Sequence, residues 1–159
     1  MNLDAIGAWI APFEGTRSSA YDDATGQHVV PGYMMRGNVS VGIGINLCYP
    51  NGLSPDEIEW LFQHRVAKVA QSVAQAFAWF AGLDADAQSA VVDMAYNMGL
   101  PTLQTFDTFL GFMAQHEAEA AADDLLNTLW YRQAGNRGVQ DVAAIRKATW
   151  TAHNATGHC

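Results

Sequence analysis

The sequence predicts an α+β fold that is mainly α: a helical body carrying one small antiparallel sheet near its N-terminus. Three observations predict it. From residue 54 onward, apolar residues recur at helical spacing in successive segments divided by Gly and Pro. Between residues 16 and 50 the pattern changes to short alternating runs separated by turn dipeptides. The chain has 159 residues, enough for one domain with a real core and too few for two large ones.

Leu3, Ile6, Ile10 and Phe13 share one helical face, with Trp9 beside them. They predict a first helix over residues 3–13, ended by Glu14-Gly15. Residues 21–26 are turn chemistry, and residues 27–30 read as a short strand. Pro31-Gly32 and Arg36-Gly37-Asn38 mark turns, and residues 39–45 alternate as a second strand. Gly42 and Gly44, at alternate positions, imply close backbone approach on one face. No helix with a third glycine follows them, so a dinucleotide site is a poor reading.

Ser54, Pro55 and Glu57 together start a helix: a cap, a proline at the first helical position and a completed capping box. Its apolar stripe is Ile58, Leu61, Phe62, Val66, Val69 and Val73, and it is expected to run to about residue 80 with a break near Gly82. Asp84 opens the next helix, with Ala87, Val91, Met94, Ala95 and Met98 inward and Gly99 at its end; Pro101 punctuates. Phe106, Phe109, Leu110 and Met113 predict a short helix. Residues 117–131 predict one more, carrying Ala121, Leu125, Leu126 and Leu129. Residues 133–138 read as a loop. A last helix spans residues 139–152, with Val142, Ile145 and Ala148 toward the core and Trp150 packing near its end. Trp9, Trp60, Trp79, Trp130 and Trp150 read as core or helix-packing residues rather than sugar platforms. Met34-Met35 reads equally as hairpin packing or as an exposed contact patch.

Composition narrows the function classes. Half the residues are hydrophobic and 15% are charged, which argues against disorder. The formal charge is −8 and there is no basic run, so nucleic-acid binding by phosphate neutralisation has no support. No apolar run is long enough to span a bilayer, and direct membrane insertion is not expected. The N-terminal segment lacks a cationic stretch and reads as a helix rather than a signal peptide. Cys48 and Cys159 make no disulfide framework: free thiols are the default, and a single bridge from loop to tail stays open. His28 and Cys48 lack metal-site spacing, and His153, His158 and Cys159 read as a tail, so neither a metal nor a cofactor is expected.

Three polar residues near the N-terminus suit one chemistry. Glycoside hydrolysis uses two carboxyl groups, one protonated to donate to the leaving oxygen and one charged to activate water or stabilise the sugar cation. Glu14, beside apolar Phe13 and Ile10, is the better acid, because burial raises a carboxyl pKa. Asp23, in a polar turn, is the better anion. Ser40 can orient a water by donating one hydrogen bond and accepting another.

The order of motifs adds specificity. Glu14-Gly15, Tyr21-x-Asp23, Gly26 and Ser40-Val41-Gly42-Ile43-Gly44 resemble the N-terminal signature of phage-type lysozymes, glycoside hydrolase family 24. Ser54-Pro55-Asp56-Glu57 with Leu61-Phe62 looks like the start of that family's long interlobe helix. Asn97-Met98-Gly99, Phe106, Trp130-Tyr131 with Asn136-Arg137, and Trp150 follow in family order. The likeness covers about residues 3–151.

The resemblance implies a lysozyme-like two-lobed fold within a single domain. The sheet lobe would cover about residues 13–53, the connecting helix 54–82, and the helical lobe 1–12 with 83–152. It implies an endo-acting muramidase that cuts peptidoglycan glycan strands between N-acetylmuramic acid and N-acetylglucosamine with inversion. Glu14 would be the general acid, Asp23 the second carboxylate and Ser40 the water-positioning hydroxyl. Asn46, Tyr96 and Asn97 would contact substrate, and Arg137 would pair with Glu14. The lack of a signal segment suggests accumulation in the host cytoplasm until a pore or secretion system releases the protein to the wall, and a monomer is expected. The chain departs from the family in four places. Ser40 stands for the usual threonine, and Ile45 for a frequent histidine. The segment between Gly26 and Ser40 is longer, and the chain is acidic where many relatives are basic. Two other functions fit the same residues: a non-catalytic peptidoglycan-binding or structural domain on this fold, and a lytic transglycosylase, which would need Glu14 but neither Asp23 nor Ser40.

Overall fold

The computed structural model describes residues 17–151, so the helix expected over residues 3–13, together with Glu14 and Cys159, lies outside the described residues. Seven α-helices and a three-stranded antiparallel sheet make up the described chain, which is the α+β, mainly helical class that the sequence predicts. Two compact units divide it, residues 1–60 and 61–159. Among the described residues, no helix is long and apolar enough to cross a membrane.

In the first unit, β1 (Arg17–Asp22), β2 (Val39–Gly42) and β3 (Ile45–Asn46) form a sheet in that order. Tyr21 pairs with Ser40 and Asp22 with Val39; Ser40 in turn pairs with Asn46. The expected strand over residues 39–45 is two strands. Gly42 and Gly44 take φ of +65° and +68°, a region only glycine enters freely, and the chain turns back between them. The strand expected over residues 27–30 reduces to a single bridge between Tyr21 and His28. The rest of that segment is a loop in which Val29 and Tyr33 N–H donate to backbone carbonyls and Arg36, Gly37 and Asn38 N–H to aspartate side chains. Met34 and Met35 are both exposed, which settles their alternatives against hairpin packing. Cys48 carries a free thiol that accepts the Val39 N–H at 3.2 Å.

Helix α1 (Pro55–Ala76) begins as the sequence predicts. Ser54 N–H and Oγ donate to Glu57 Oε2 at 2.7 and 2.8 Å, the reciprocal half of a capping box. It ends earlier than expected. Phe77 and Phe80 are both drawn into the core, Phe77 stacks on Trp79 at 5.2 Å, and residues 80–82 form a 3₁₀ turn. Tertiary burial of an aromatic run overrides helix propensity here. Trp60, expected to pack, is 64% exposed on α1, as are Ile58 and Phe62 to lesser degrees.

The second unit holds the core. Helix α2 (Ala85–Met98) buries Ala87, Ala90, Val91, Met94 and Ala95, a stripe at helical period, and Gly99 ends it at φ +85°. A short α3 (Leu100–Leu103) follows at once, because Pro101 falls in its first turn, where a missing N–H is harmless. Helix α4 (Asp107–Ala114) buries Phe109 and Met113. The single helix expected over residues 117–131 is two, α5 (Ala118–Leu126) and α6 (Leu129–Ala134). Thr128 turns extended and its hydroxyl caps the second by accepting the Tyr131 N–H at 3.1 Å. The expected loop at residues 133–138 is largely helix: α7 (Asn136–Arg146) starts right after Gly135, whose φ of +60° makes the corner. Helix α7 stops at Arg146, short of residue 152. Around Phe109, Met94, Leu103, Met113, Leu125 and Ile145, all fully buried, α2, α4, α5 and α7 pack into one core.

Asp84 closes this unit on itself. Its Oδ1 caps α2 by accepting the Asp86 and Ala87 N–H groups, and its Oδ2 accepts Thr149 N–H at 2.6 Å and Thr149 Oγ1 at 3.1 Å. The Thr149 backbone donor and the others hold its carboxyl below the usual aspartate range against the opposing effect of burial. Replacing Asp84 by Ala removes a cap and strands two Thr149 donors. A loss of about 1–2 kcal/mol is expected, lowering Tm by about 3–6 °C at pH 7. Because the folded pKa is depressed, the wild-type advantage should be intact at neutral pH and fade as pH falls through the acidic range. Thermal unfolding at pH 7 and pH 3 checks both.

Candidate active site

The sheet unit places two adjacent aspartates in opposite environments. Asp22, the last residue of β1, is fully buried, and Asp23, the first residue of the turn that follows, is exposed. Asp22 Oδ1 accepts Ala24 N–H at 2.9 Å and Gly37 N–H at 3.0 Å. Its Oδ2 accepts Arg36 N–H at 2.7 Å and Tyr33 Oη at 3.2 Å. Burial alone would raise this carboxyl, but the donors from Arg36, Ala24, Tyr33 and Gly37 together outweigh it and hold the pKa below the ordinary aspartate value. With two donors per oxygen, Asp22 has no capacity left for a ligand.

Asp23 stands opposite Asn38 at the end of the β1–β2 ladder. Its N–H donates to Asn38 O at 3.0 Å, and its Oδ1 accepts Asn38 N–H at 2.7 Å. Asn38 Nδ2 donates to the other carboxylate oxygen at 3.0 Å. The carboxylate is thus fixed in plane while its outer lone pairs face solvent. Gly37 makes this approach possible. A Cβ there would sit 2.1 Å from Asp23 Oδ1 and 2.8 Å from Ala24 N. Gly37→Ala is therefore expected to push Asp23 and Ala24 aside and to destabilise the protein by about 1–3 kcal/mol. Thermal unfolding of the variant beside wild type checks it.

Ser40 is buried on β2, one alternation from Asn38 on the same side of the strand, and Asn46 lies opposite it on β3. Asn46 Oδ1 accepts Cys48 N–H at 2.8 Å, leaving its amide N–H groups as the part that can meet substrate. The unit therefore brings together Asp23, Ser40 and Asn46 on neighbouring strands. Beside them, Thr25, Gln27, Tyr33, Met34 and Arg36 line a cavity of about 370 Å³ formed by the long loop.

The helical unit gathers the other residues. Asn97 and Arg137 line one cavity of about 590 Å³ with Trp130, whose Nε1–H donates to Asn97 Oδ1 at 3.2 Å. Tyr96 is part-exposed, with the Phe62 ring edge-on at 6.0 Å. Glu14 lies outside the described residues, so its pairing with Arg137 does too. Among the described residues, Arg137 Nε donates to Asp93 Oδ2 at 2.8 Å. A guanidinium carries five N–H donors, so this bond leaves others for a second partner.

Asp93 has a second neighbour, Asp141, four residues along α7 from Arg137. Asp141 is buried, its Oδ2 has no partner among the described residues, and with Asp93 and Arg137 it lines a cavity of about 620 Å³. Burial first, then the charge of Asp93 and a hydrogen bond to it, push the Asp141 carboxyl up to about 7 against the lowering effect of Arg137.

Sequence reading missed Asp22, Asn38, Asp93 and Asp141. For Asp141 a signal existed: an acidic residue beside Val142 and one turn before Ile145, on the apolar side of the last helix.

A family model described as phage lysozyme matches residues 11–149. That span holds Glu14, Asp23, Ser40, Asn97 and Arg137 in the order read from the sequence, and it leaves out only the two ends of the chain. The chain belongs to the phage lysozyme family.

Proposed function

We propose that the protein is an endo-acting muramidase that hydrolyses the β-1,4 bond between N-acetylmuramic acid and N-acetylglucosamine in peptidoglycan. Membership of a family of peptidoglycan-lysing enzymes supports the substrate class. The observation that carries the finer reading is the state of Asp23: an exposed carboxylate held in plane by two donors, beside the Ser40 strand. An inverting glycosidase needs such a group, fixed in direction yet open to a water. In this reading Glu14 protonates the leaving oxygen, Asp23 activates or faces the attacking water, and Ser40 orients it. Asn46, Tyr96 and Asn97 hold the sugars, and Arg137 sets the proton affinity of Glu14. The long loop bearing Tyr33 and Arg36 forms a cavity with Thr25 and Gln27 that a shorter loop would lack.

The test is the chemistry of the new chain ends after digestion of purified, de-acetylated-free peptidoglycan. Muramic-acid reducing ends, one per cut, are expected. Anhydro-muramic ends would replace hydrolysis by transglycosylation and remove the need for Asp23. Glycan that co-sediments with the protein uncut would make the domain a binder.

A further inference from the structure

The loop between Gly26 and Ser40 is more than a longer connection. Its hydrogen bonds converge on one buried carboxylate, and its last residue reaches an exposed one. Asp22 holds the loop at three places through Tyr33 Oη, Arg36 N–H and Gly37 N–H. Tyr33 Oη also shares a hydrogen bond of 2.8 Å with Thr25 Oγ1, which ties the loop to the turn after Asp23. Directly beyond this anchor, Gly37 passes so close to Asp23 that no side chain fits. Asn38 then donates its backbone N–H and a side-chain N–H to Asp23, one to each oxygen. In a regular antiparallel pair the Asn38 N–H would return to the Asp23 carbonyl. Here it is diverted to the side chain.

A carboxylate on an exposed turn otherwise rotates freely about its side-chain torsions, and a group that must meet a water in one direction loses rate by doing so. Two donors from one residue, each on a different oxygen, remove that freedom. We propose that Asn38 is a positioning residue for the Asp23 carboxylate, and that the Asp22-anchored loop exists in this chain to deliver it. The proposal rests on the reading of Asp23 as the second carboxylate of glycan hydrolysis. Asn38 touches no reacting atom; it acts through Asp23. Asp22 acts one step further back, through the loop.

The experiment uses the full chain and purified peptidoglycan, with kcat, KM and the pH profile of kcat measured for Asn38→Ala, Asn38→Asp, Asp22→Asn and Asp23→Asn. Asn38 is exposed, so its replacements should fold, and circular dichroism and Tm verify this for each variant. Asn38→Ala is expected to lower kcat by about tenfold with KM within about twofold of wild type, as loss of a transition-state-only arrangement requires. Asn38→Asp keeps the shape but sets a second carboxylate against Asp23. The acidic limb of its pH profile should move up by about one unit or more, because two carboxylates in contact resist joint ionisation. A merely structural role for Asn38 would not move that limb. Asp22→Asn should lower kcat in the same sense, and its combination with Asn38→Ala should be less than additive, since both act along one route. Wild-type kcat in Asn38→Ala, or an unmoved acidic limb in Asn38→Asp, overturns the proposal while a dead Asp23→Asn leaves the hydrolase reading standing. A fully active Asp23→Asn overturns both.

Discussion

Asp23→Asn is expected to lower turnover on peptidoglycan at least about a hundredfold, with fold and glycan binding retained, and Glu14→Gln to lower it by about 10²–10⁴-fold. The Asp23 change is nearly isosteric. The new amide oxygen still accepts the Asn38 N–H, and the Asn38 amide can rotate to offer its oxygen to the new amide nitrogen, so the local frame of bonds survives. What disappears is the negative charge that glycoside hydrolysis of the proposed kind sets against the attacking water and the developing sugar cation. Glu14→Gln removes a proton donor and leaves the rest of its surroundings isosteric. Release of reducing ends over time measures both, with Tm and co-sedimentation with insoluble glycan as controls. A variant at Asp23 that hydrolyses at the wild-type rate would sink the two-carboxylate reading. Asp22→Asn is the instructive neighbour. Its carboxylate is fully buried and saturated by four donors, so it cannot face a water, and its loss should act only through the loop.

How far the sequence revealed this site follows from what kind of signal each residue leaves. Asp23 and Ser40 stood out in the sequence because the chemistry expected of them needs particular residue types at a particular spacing, and the turns and glycines around them leave marks of their own. Asn38 was read only as part of a turn. Its role depends on three-dimensional closure of a loop onto Asp23, and no local pattern encodes which side chain a loop will meet. Asp22 looked like turn chemistry as well. A carboxylate that collects backbone N–H groups from residues 36 and 37 cannot be told from a solvated one until the loop's path is known.

The helices show the same division. The start of α1 and of α2 was legible because caps are local: Ser54, Glu57 and Asp84 each act within one turn. The stripe inside α2 was legible because burial imposes a period. The ends were not. Helix α1 stops at Ala76 since Phe77 and Phe80 are needed in the core, and the break between α5 and α6 turns on a single threonine hydroxyl that reaches its own chain. These are decisions of tertiary packing, taken against a propensity that would have continued the helix.

Asp141→Asn is expected to stabilise the protein at pH 8 by about 2–3 kcal/mol, raising Tm by about 5–10 °C, and to change it little near pH 4. The argument starts from position. Asp141 sits on α7 facing Asp93 of α2, with Arg137 on its own helix one turn earlier; Asp86 and Lys147 line the same cavity. Arg137 spends its Nε bond on Asp93, so Asp141 is left buried with one oxygen unpartnered among the described residues and a like charge beside it. A proton on Asp141, donated to Asp93 in a hydrogen bond, relieves both problems: burial first, then the charge of Asp93 and that bond, push the Asp141 carboxyl up to about 7. In the unfolded chain the same group titrates near the usual aspartate value of about 4. Between those two values the folded state holds a proton that the unfolded state has released, so stability falls as pH rises through this window and levels off above it. Asparagine supplies the neutral form at every pH and keeps a donor for Asp93, so its advantage should open across the same window. The open cavity screens part of the full effect, and the expected gain is set below the value the whole shift would give. Paired thermal melts of wild type and variant from pH 4 to pH 8 measure the gap. A gap that stays constant with pH, or a variant less stable at pH 8, would mean that Asp141 is ionised and satisfied in the folded protein.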